Sequence, residues 1–136
     1  MIAEDLIYLG LGMVFGAIII ANMMSGTQGR LKKICNIYFA RFSNKDIDKL
    51  AVMFDDDVSL RDWEISASGK ANVIKANQKI FDSVDTIQVT PLVMYSEDDV
   101  VIAELEILVD NKVKLYVTDV ITFTGDKISS IRAYKG

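Results

Sequence analysis

The stretch Val113 to Phe123 reads Val-Lys-Leu-Tyr-Val-Thr-Asp-Val-Ile-Thr-Phe. Side chains alternate along a strand, so Val113, Leu115, Val117, Asp119, Ile121 and Phe123 share one face. A carboxylate on an apolar face loses hydration that its neighbours cannot replace, so Asp119 must either find a polar partner there or hold a proton. Two more polar residues stand on otherwise apolar faces: Tyr38, in the helical stripe Leu31, Ile34, Cys35, Tyr38 and Phe42, and Asp62, in the alternation Val58, Leu60, Asp62. A core Tyr with its hydroxyl at an edge and an Asp closing a short strand are ordinary structural uses of these residues, whereas Asp119 is harder to place structurally. The chain contains no His, so any proton transfer falls to Asp, Glu, Tyr, Lys or Cys. Its single cysteine, Cys35, sits among helix-spaced apolar residues with no activating cation, which reads as a buried, inert thiol.

These residues need elements to bring them together. At 136 residues with 51% hydrophobic content, the chain can form one ordinary domain with its own core. A net charge of −4 and a basic cluster limited to Arg30, Lys32 and Lys33 exclude a nucleic-acid partner, because phosphate binding needs a concentrated basic surface. No cofactor and no metal is expected. Asp55, Asp56 and Asp57 form an acidic turn at which a metal site is conceivable, but adjacent carboxylates on a solvated turn point in different directions.

Leu6 to Met24 carries no charge and approaches the roughly 20 residues that span a bilayer. Acidic residues precede it and Arg30, Lys32 and Lys33 follow it, which would leave the remainder on the cytoplasmic side, anchored to the inner face of a membrane. A buried helix docked on the domain and a true start at Met24 are the competing readings. Ser25 to Gly29 is polar and glycine-rich and reads as a linker, dividing the chain into residues 1–29 and a domain at 30–136.

Within that domain the apolar spacing predicts helices over about Leu31 to Phe42 and Lys45 to Phe54, then a short strand from Val58 to Asp62. A third helix follows from about Gly69 to Ser83, capped by Ser66 or Ser68, with Val73, Asn77, Ile80 and Phe81 along one side. The period then changes to two, giving strands at about Ile87 to Tyr95, Val100 to Val109, Val113 to Phe123 and Lys127 to Tyr134, separated by turn-forming residues. Pro91 marks an edge or a bulge. Helices segregated from an antiparallel meander make an α+β fold, with the helices covering one face of a curved sheet.

The stretch Tyr38-Phe-Ala-Arg-Phe-Ser-Asn-Lys-Asp-Ile-Asp-Lys-Leu-Ala-Val-Met-Phe-Asp-Asp-Asp and the ending Asp119-Val-Ile-Thr-Phe-Thr-Gly-Asp-Lys-Ile-Ser-Ser-Ile-Arg-Ala-Tyr resemble the NTF2-like, or SnoaL-like, superfamily over about Leu31 to Lys135. The resemblance implies a cone in which three N-terminal helices pack on a curved, mainly antiparallel sheet around an apolar pocket. Within the superfamily the pattern is most similar to ketosteroid isomerase, whose helix Tyr and strand Asp are spaced as Tyr38 and Asp62 are, and whose second Asp falls at Asp119.

By that resemblance Asp62 is a general base that moves a carbon-bound proton. Tyr38 and a protonated Asp119 are the donors to the enolate oxygen of a small apolar carbonyl compound. Trp63, where that family has Pro, and a shorter segment from Asp62 to Gly69 leave the substrate's shape open. A polyketide-cyclase-like aldol closure using Asp62 or Asp119 is the second enzymatic reading. An epoxide hydrolase's Asp-Arg-Asp arrangement has no evident counterpart here. The non-catalytic alternative is an NTF2-like module that binds a ligand or a partner, possibly at a membrane through Leu6 to Met24. A homodimer is expected from the family.

Overall fold

The computed structural model describes residues 12–136, with side chains from residue 26 onward. Helix α1 runs from Gly12 to Ser43 and buries Leu31, Cys35, Tyr38 and Phe39, the stripe expected of its apolar spacing with Phe39 added beside it. It continues through Ser25 to Gly29, so the expected linker is helical there. Two glycines weaken a helix without ending it, and a Cβ added at Gly26 or Gly29 would stand in open space among the described residues. The first six residues of the apolar segment Leu6 to Met24 lie outside the described residues, as do the side chains of all of it. Among the described residues no helix is long and apolar enough to cross a membrane.

Helix α2 is a single short segment, Ile47–Ala51, started by Asp46, whose side chain accepts the Lys49 N–H. It ends sooner than its apolar spacing suggests because Met53 and Phe54 turn into strand β1, Phe54–Arg61. Asp55, Asp56 and Asp57 therefore belong to a strand and not to a turn. Their backbone is irregular: Phe54 pairs with Ile128 and Ser59 with Ser130, and the register shifts between them. Asp55 accepts the Asp57 N–H at 3.1 Å within this bulged stretch, while Asp56 and Asp57 stay exposed.

Strand β2, Ser66–Ser68, pairs antiparallel with the end of β1. Helix α3 is Lys70–Asp82, and its N-cap is Gly69 at φ +87° with no side-chain cap, so neither Ser66 nor Ser68 caps it. Both serines are engaged as strand residues, and the glycine supplies the left-handed turn between strand and helix. Strands β3 (Ile87–Glu97), β4 (Val100–Val109), β5 (Val113–Thr124) and β6 (Lys127–Lys135) follow the period-two expectation closely. Gly125 at φ +60° makes the last hairpin turn.

The strands lie in the order β2-β1-β6-β5-β4-β3. The neighbours are antiparallel except β1 with β6, which run parallel. Pro91 satisfies both expectations at once, since β3 is an edge strand and its register against β4 shifts between Pro91 and Val93. A second irregularity lies between Thr122 and Phe123 on β5. Bulges bend the strands that carry them and increase local twist, and three of them turn this sheet into an open, curved wall. α1 packs against β3 and β4, and α3 against β1 and β2, with α2 bridging the two helices. Leu50, Phe54, Val58, Val73, Phe81, Val101, Leu105, Ile121, Phe123 and Ile128 fill the space between helices and sheet.

Candidate active site

Between the helices and the concave sheet face lies a cavity of about 280 Å³, near the lower end of the roughly 300–1,000 Å³ common for small-molecule sites. Its walls are mostly aliphatic and aromatic, and Tyr38, Asp62 and Asp119 all line it. The three residues singled out in the sequence therefore open into one space from three different elements.

Asp119 projects from the middle of β5, where Val117, Ile121 and Phe123 share its buried face and Val113 at the strand end is exposed. Its lateral neighbours in the sheet are Ala103 on β4 and Ala133 on β6. Two small side chains leave the carboxyl group uncovered toward the cavity, yet the residue is only 8% exposed overall. Burial first, and the negative charge of Asp62 second, push its carboxyl group up to about 7. At neutral pH Asp119 is thus balanced between a hydrogen-bond donor and a base.

Tyr38 is carried by α1 one helical turn after Cys35, with both side chains buried. Edge and tilted contacts to Phe39 (5.6 Å between ring centroids), Phe42 (6.0 Å) and Phe54 (6.3 Å) hold its ring, while Phe42 meets Phe81 on α3 edge-on at 4.8 Å. Burial, then the charge of Asp119 and then that of Cys35, raise the Tyr38 hydroxyl well above its usual range, so it keeps its proton and can act as a donor. The Cys35 thiol is pushed up to about 12 by burial and by Asp119. In the folded protein at pH 8 a thiol-specific reagent is expected to label Cys35 about 10³-fold more slowly than in denaturant, because so little thiolate is present. Rapid labelling under native conditions would contradict this environment.

Asp62 follows the last residue of β1, in the loop to β2, not inside the strand as its alternation suggested. Its Oδ1 accepts the N–H groups of Glu64 at 2.7 Å and Ile65 at 2.5 Å, and its own N–H donates to the Ile65 carbonyl at 2.9 Å. The turn-forming use of Asp62 is therefore real and coexists with its place on the cavity wall. The loop also brings Trp63, 42% exposed, to the cavity rim, where Lys135 sits 5.4 Å from the ring centroid. Among the described residues no cluster suited to a metal ion occurs.

One lining residue escaped functional attention in the sequence. Asn77 on α3 is 1% exposed, lines the cavity, and its Nδ2 has no hydrogen-bond partner among the described residues. An unmade hydrogen bond of this kind costs about 1–3 kcal/mol. The signal was available, since Asn77 interrupts the apolar stripe of Val73, Ile80 and Phe81 much as Asp119 interrupts its strand.

The family model of the SnoaL-like domain matches residues 37–131. No curated protein matches the chain. Solved structures with the same fold include a candidate ketosteroid isomerase from Kribbella flavida, with a TM-score of 0.70, 13% identity, and coverage of 79% of this chain and 78% of that one. A candidate polyketide cyclase from Sinorhizobium meliloti aligns with a TM-score of 0.68 at 18% identity over 74% of this chain and 93% of its own. An LEH-like epoxide hydrolase from M. tuberculosis aligns with a TM-score of 0.71 at 14% identity over 79% and 84%. Identities this low establish a shared architecture and leave the chemistry to the residues of the cavity.

Proposed function

The chain belongs to the SnoaL-like domain family, an NTF2-like α+β fold, and from that premise we propose that its cavity enolises a small apolar carbonyl compound in the manner of ketosteroid isomerase. The supporting observation is the burial of Tyr38 beside Asp119 in an apolar cavity that also receives Asp62. The Asp62 carboxylate removes a proton from the carbon next to the carbonyl, and the electrons of that C–H bond form the new carbon–carbon double bond. Negative charge collects on the carbonyl oxygen, where Tyr38 and protonated Asp119 donate hydrogen bonds that strengthen as the charge grows. Asp62 then returns its proton to a different carbon, which moves the double bond without any net gain or loss of protons.

A second reading draws on the acidity of Asp119. A carboxyl group at about 7 is suited to take a proton at neutral pH, which fits an aldol-type closure with Asp119 as the base. The two readings differ in whether Asp119 must be protonated when ligand is bound.

Phenols imitate an enolate, so their binding across pH discriminates between them. With Asp119 as a neutral donor, affinity for 2-naphthol is expected to be flat below about pH 7 and to fall up to about tenfold per pH unit above it. Asp119→Asn, which retains a donor, should remove that fall. Affinity that rises through pH 7 would favour Asp119 as the base, and a wild-type protein that binds neither phenols nor enones would leave the non-catalytic module as the better reading.

A further inference from the structure

The loop that carries Asp62 also carries Trp63, which lines the cavity and is 42% exposed, so its ring stands where the cavity meets solvent. Strand β6 leads to the same place. Ile131, Ala133 and Lys135 share one face of that strand; the first is buried, the second half-buried and the third exposed, and the first two line the cavity. β1 runs parallel to β6 and its last residue, Arg61, pairs with Arg132, which sets Trp63 beside the end of β6. There the Lys135 ammonium lies 5.4 Å from the centre of the Trp63 ring, and among the described residues no carboxylate pairs with it. An indole face attracts a cation more strongly than other aromatic rings do, so the pair ties the loop to the neighbouring strand.

Strand register gives the distance of this clasp from the chemistry. Ala133 is the lateral neighbour of Asp119, and Lys135 that of Val117, so the clasp is level with a point one step along the cavity face of β5, about 7 Å from Asp119. A ligand whose oxygen reaches the Asp119 carboxyl group has room for a short skeleton before it meets the Trp63 ring. The loop resists swinging aside, because Asp62 Oδ1 accepts the N–H groups of Glu64 and Ile65 and closes a tight turn around Trp63.

We propose that Trp63, pinned by Lys135, sets the length of the substrate: the cavity takes a compact carbonyl compound that ends inside the mouth and rejects an elongated one that would have to pass the indole. Trp63 is then a specificity residue, and Lys135 a positioning residue that acts through it. The reaction assigned to that compound rests on the enolising reading; the length limit rests on Trp63 and Lys135 alone.

Matched ligands test the limit. 2-Naphthol and 6-phenyl-2-naphthol share a phenolic end and differ by a ring at the opposite one, and naphthalene and 2-phenylnaphthalene repeat the comparison without oxygen. In an open apolar site the added ring tightens binding, since it buries more apolar surface. Wild-type protein is expected to do the reverse and to bind the longer member of each pair at least about tenfold more weakly. Trp63→Ala, a change at an exposed loop position, should let the longer member bind at least as tightly as the shorter one. Lys135→Met keeps an apolar stem without the charge and should cut the discrimination to about threefold or less, whereas Lys135→Arg, which keeps a cation, should preserve it.

Trp63 is the chain's only tryptophan, so its fluorescence reports on the ring without any ligand. Acrylamide quenching should rise about twofold in Lys135→Met and stay as in wild type in Lys135→Arg. Longer ligands that bind wild type as tightly as shorter ones, discrimination that survives Trp63→Ala, quenching unchanged in Lys135→Met, or binding of none of the four compounds to wild type and Trp63→Ala alike overturns the assignment. A length limit shown by the hydrocarbon pair, with phenols bound no better than hydrocarbons, overturns the enolising site instead and leaves Trp63 in its role.

Discussion

Asp62→Asn is expected to lower turnover of the best-bound bicyclic enone by about 10²–10⁴-fold, the usual contribution of a positioned general base, while ligand affinity changes little. The replacement is well matched to the local structure. Asn keeps a side-chain oxygen that can accept the N–H groups of Glu64 and Ile65, so the loop bearing Trp63 holds its shape and only the proton-accepting capacity is removed. Asp62→Ala, by contrast, loses both the base and the loop's hydrogen bonds, and should weaken binding as well as turnover. Steady-state kinetics with equilibrium titration of 2-naphthol separate these outcomes. Turnover in Asp62→Asn within tenfold of wild type would remove Asp62 from the reaction and leave Asp119 as the remaining candidate base.

Asp119→Asn is expected to change how stability depends on pH, and here the effect is large. Below about pH 4 the Asp119 carboxyl group is protonated in both the unfolded and the folded chain, so its burial carries no charge penalty. Between about pH 4 and 7 the unfolded chain releases the proton while the folded chain, with its group pushed up to about 7, retains it. Folding then takes up a proton, and rising pH favours unfolding. Above about pH 7 both states are ionised and the loss is complete. A displacement of this size corresponds to roughly 4 kcal/mol of stability lost across the window.

Urea unfolding of wild type and Asp119→Asn from pH 4.5 to 8.5 measures the difference directly. The wild-type curve should descend relative to the variant's as pH rises toward 7, and curves that stay parallel would show that Asp119 is not buried as the structure has it. A ligand that accepts a hydrogen bond from the protonated group should carry the wild-type descent on to higher pH, because it holds the proton on Asp119 in the folded chain only.

The meander was readable from sequence because two signals agreed at every boundary: side chains alternating in and out, and turn residues such as Asp110-Asn111 and Gly125 that the structure places at positive φ. The start of β1 was hidden because three consecutive aspartates imitate a solvated turn, while the strand there is held by pairing to β6 and bulges to keep Asp56 and Asp57 outside. β2 has only Ser66, Ala67 and Ser68, too little for any periodicity, and exists because β1 offers it an edge. Asp119 was conspicuous because a strand face sorts side chains strictly. Its proximity to Tyr38 and Asp62 was not readable that way, since it depends on how three remote segments meet, and that expectation came from the family resemblance. Asn77 was visible as a polar residue in an apolar stripe, but only three-dimensional packing reveals that its donor has no partner among the described residues.

The parallel pairing of β1 with β6 also dictates an order of events in folding. Residues 54–61 find their neighbour in the main sheet only at 127–135, so the wall that carries Asp62 joins the wall that carries Asp119 only through the final strand, β6. Contacts this distant in sequence are slow to close, and until they do, β6 presents an unpaired edge beside an apolar face. The assembly of the cavity is thus the late step, and a nascent or partly unfolded chain should be most prone to self-association in the interval before β1 docks on β6.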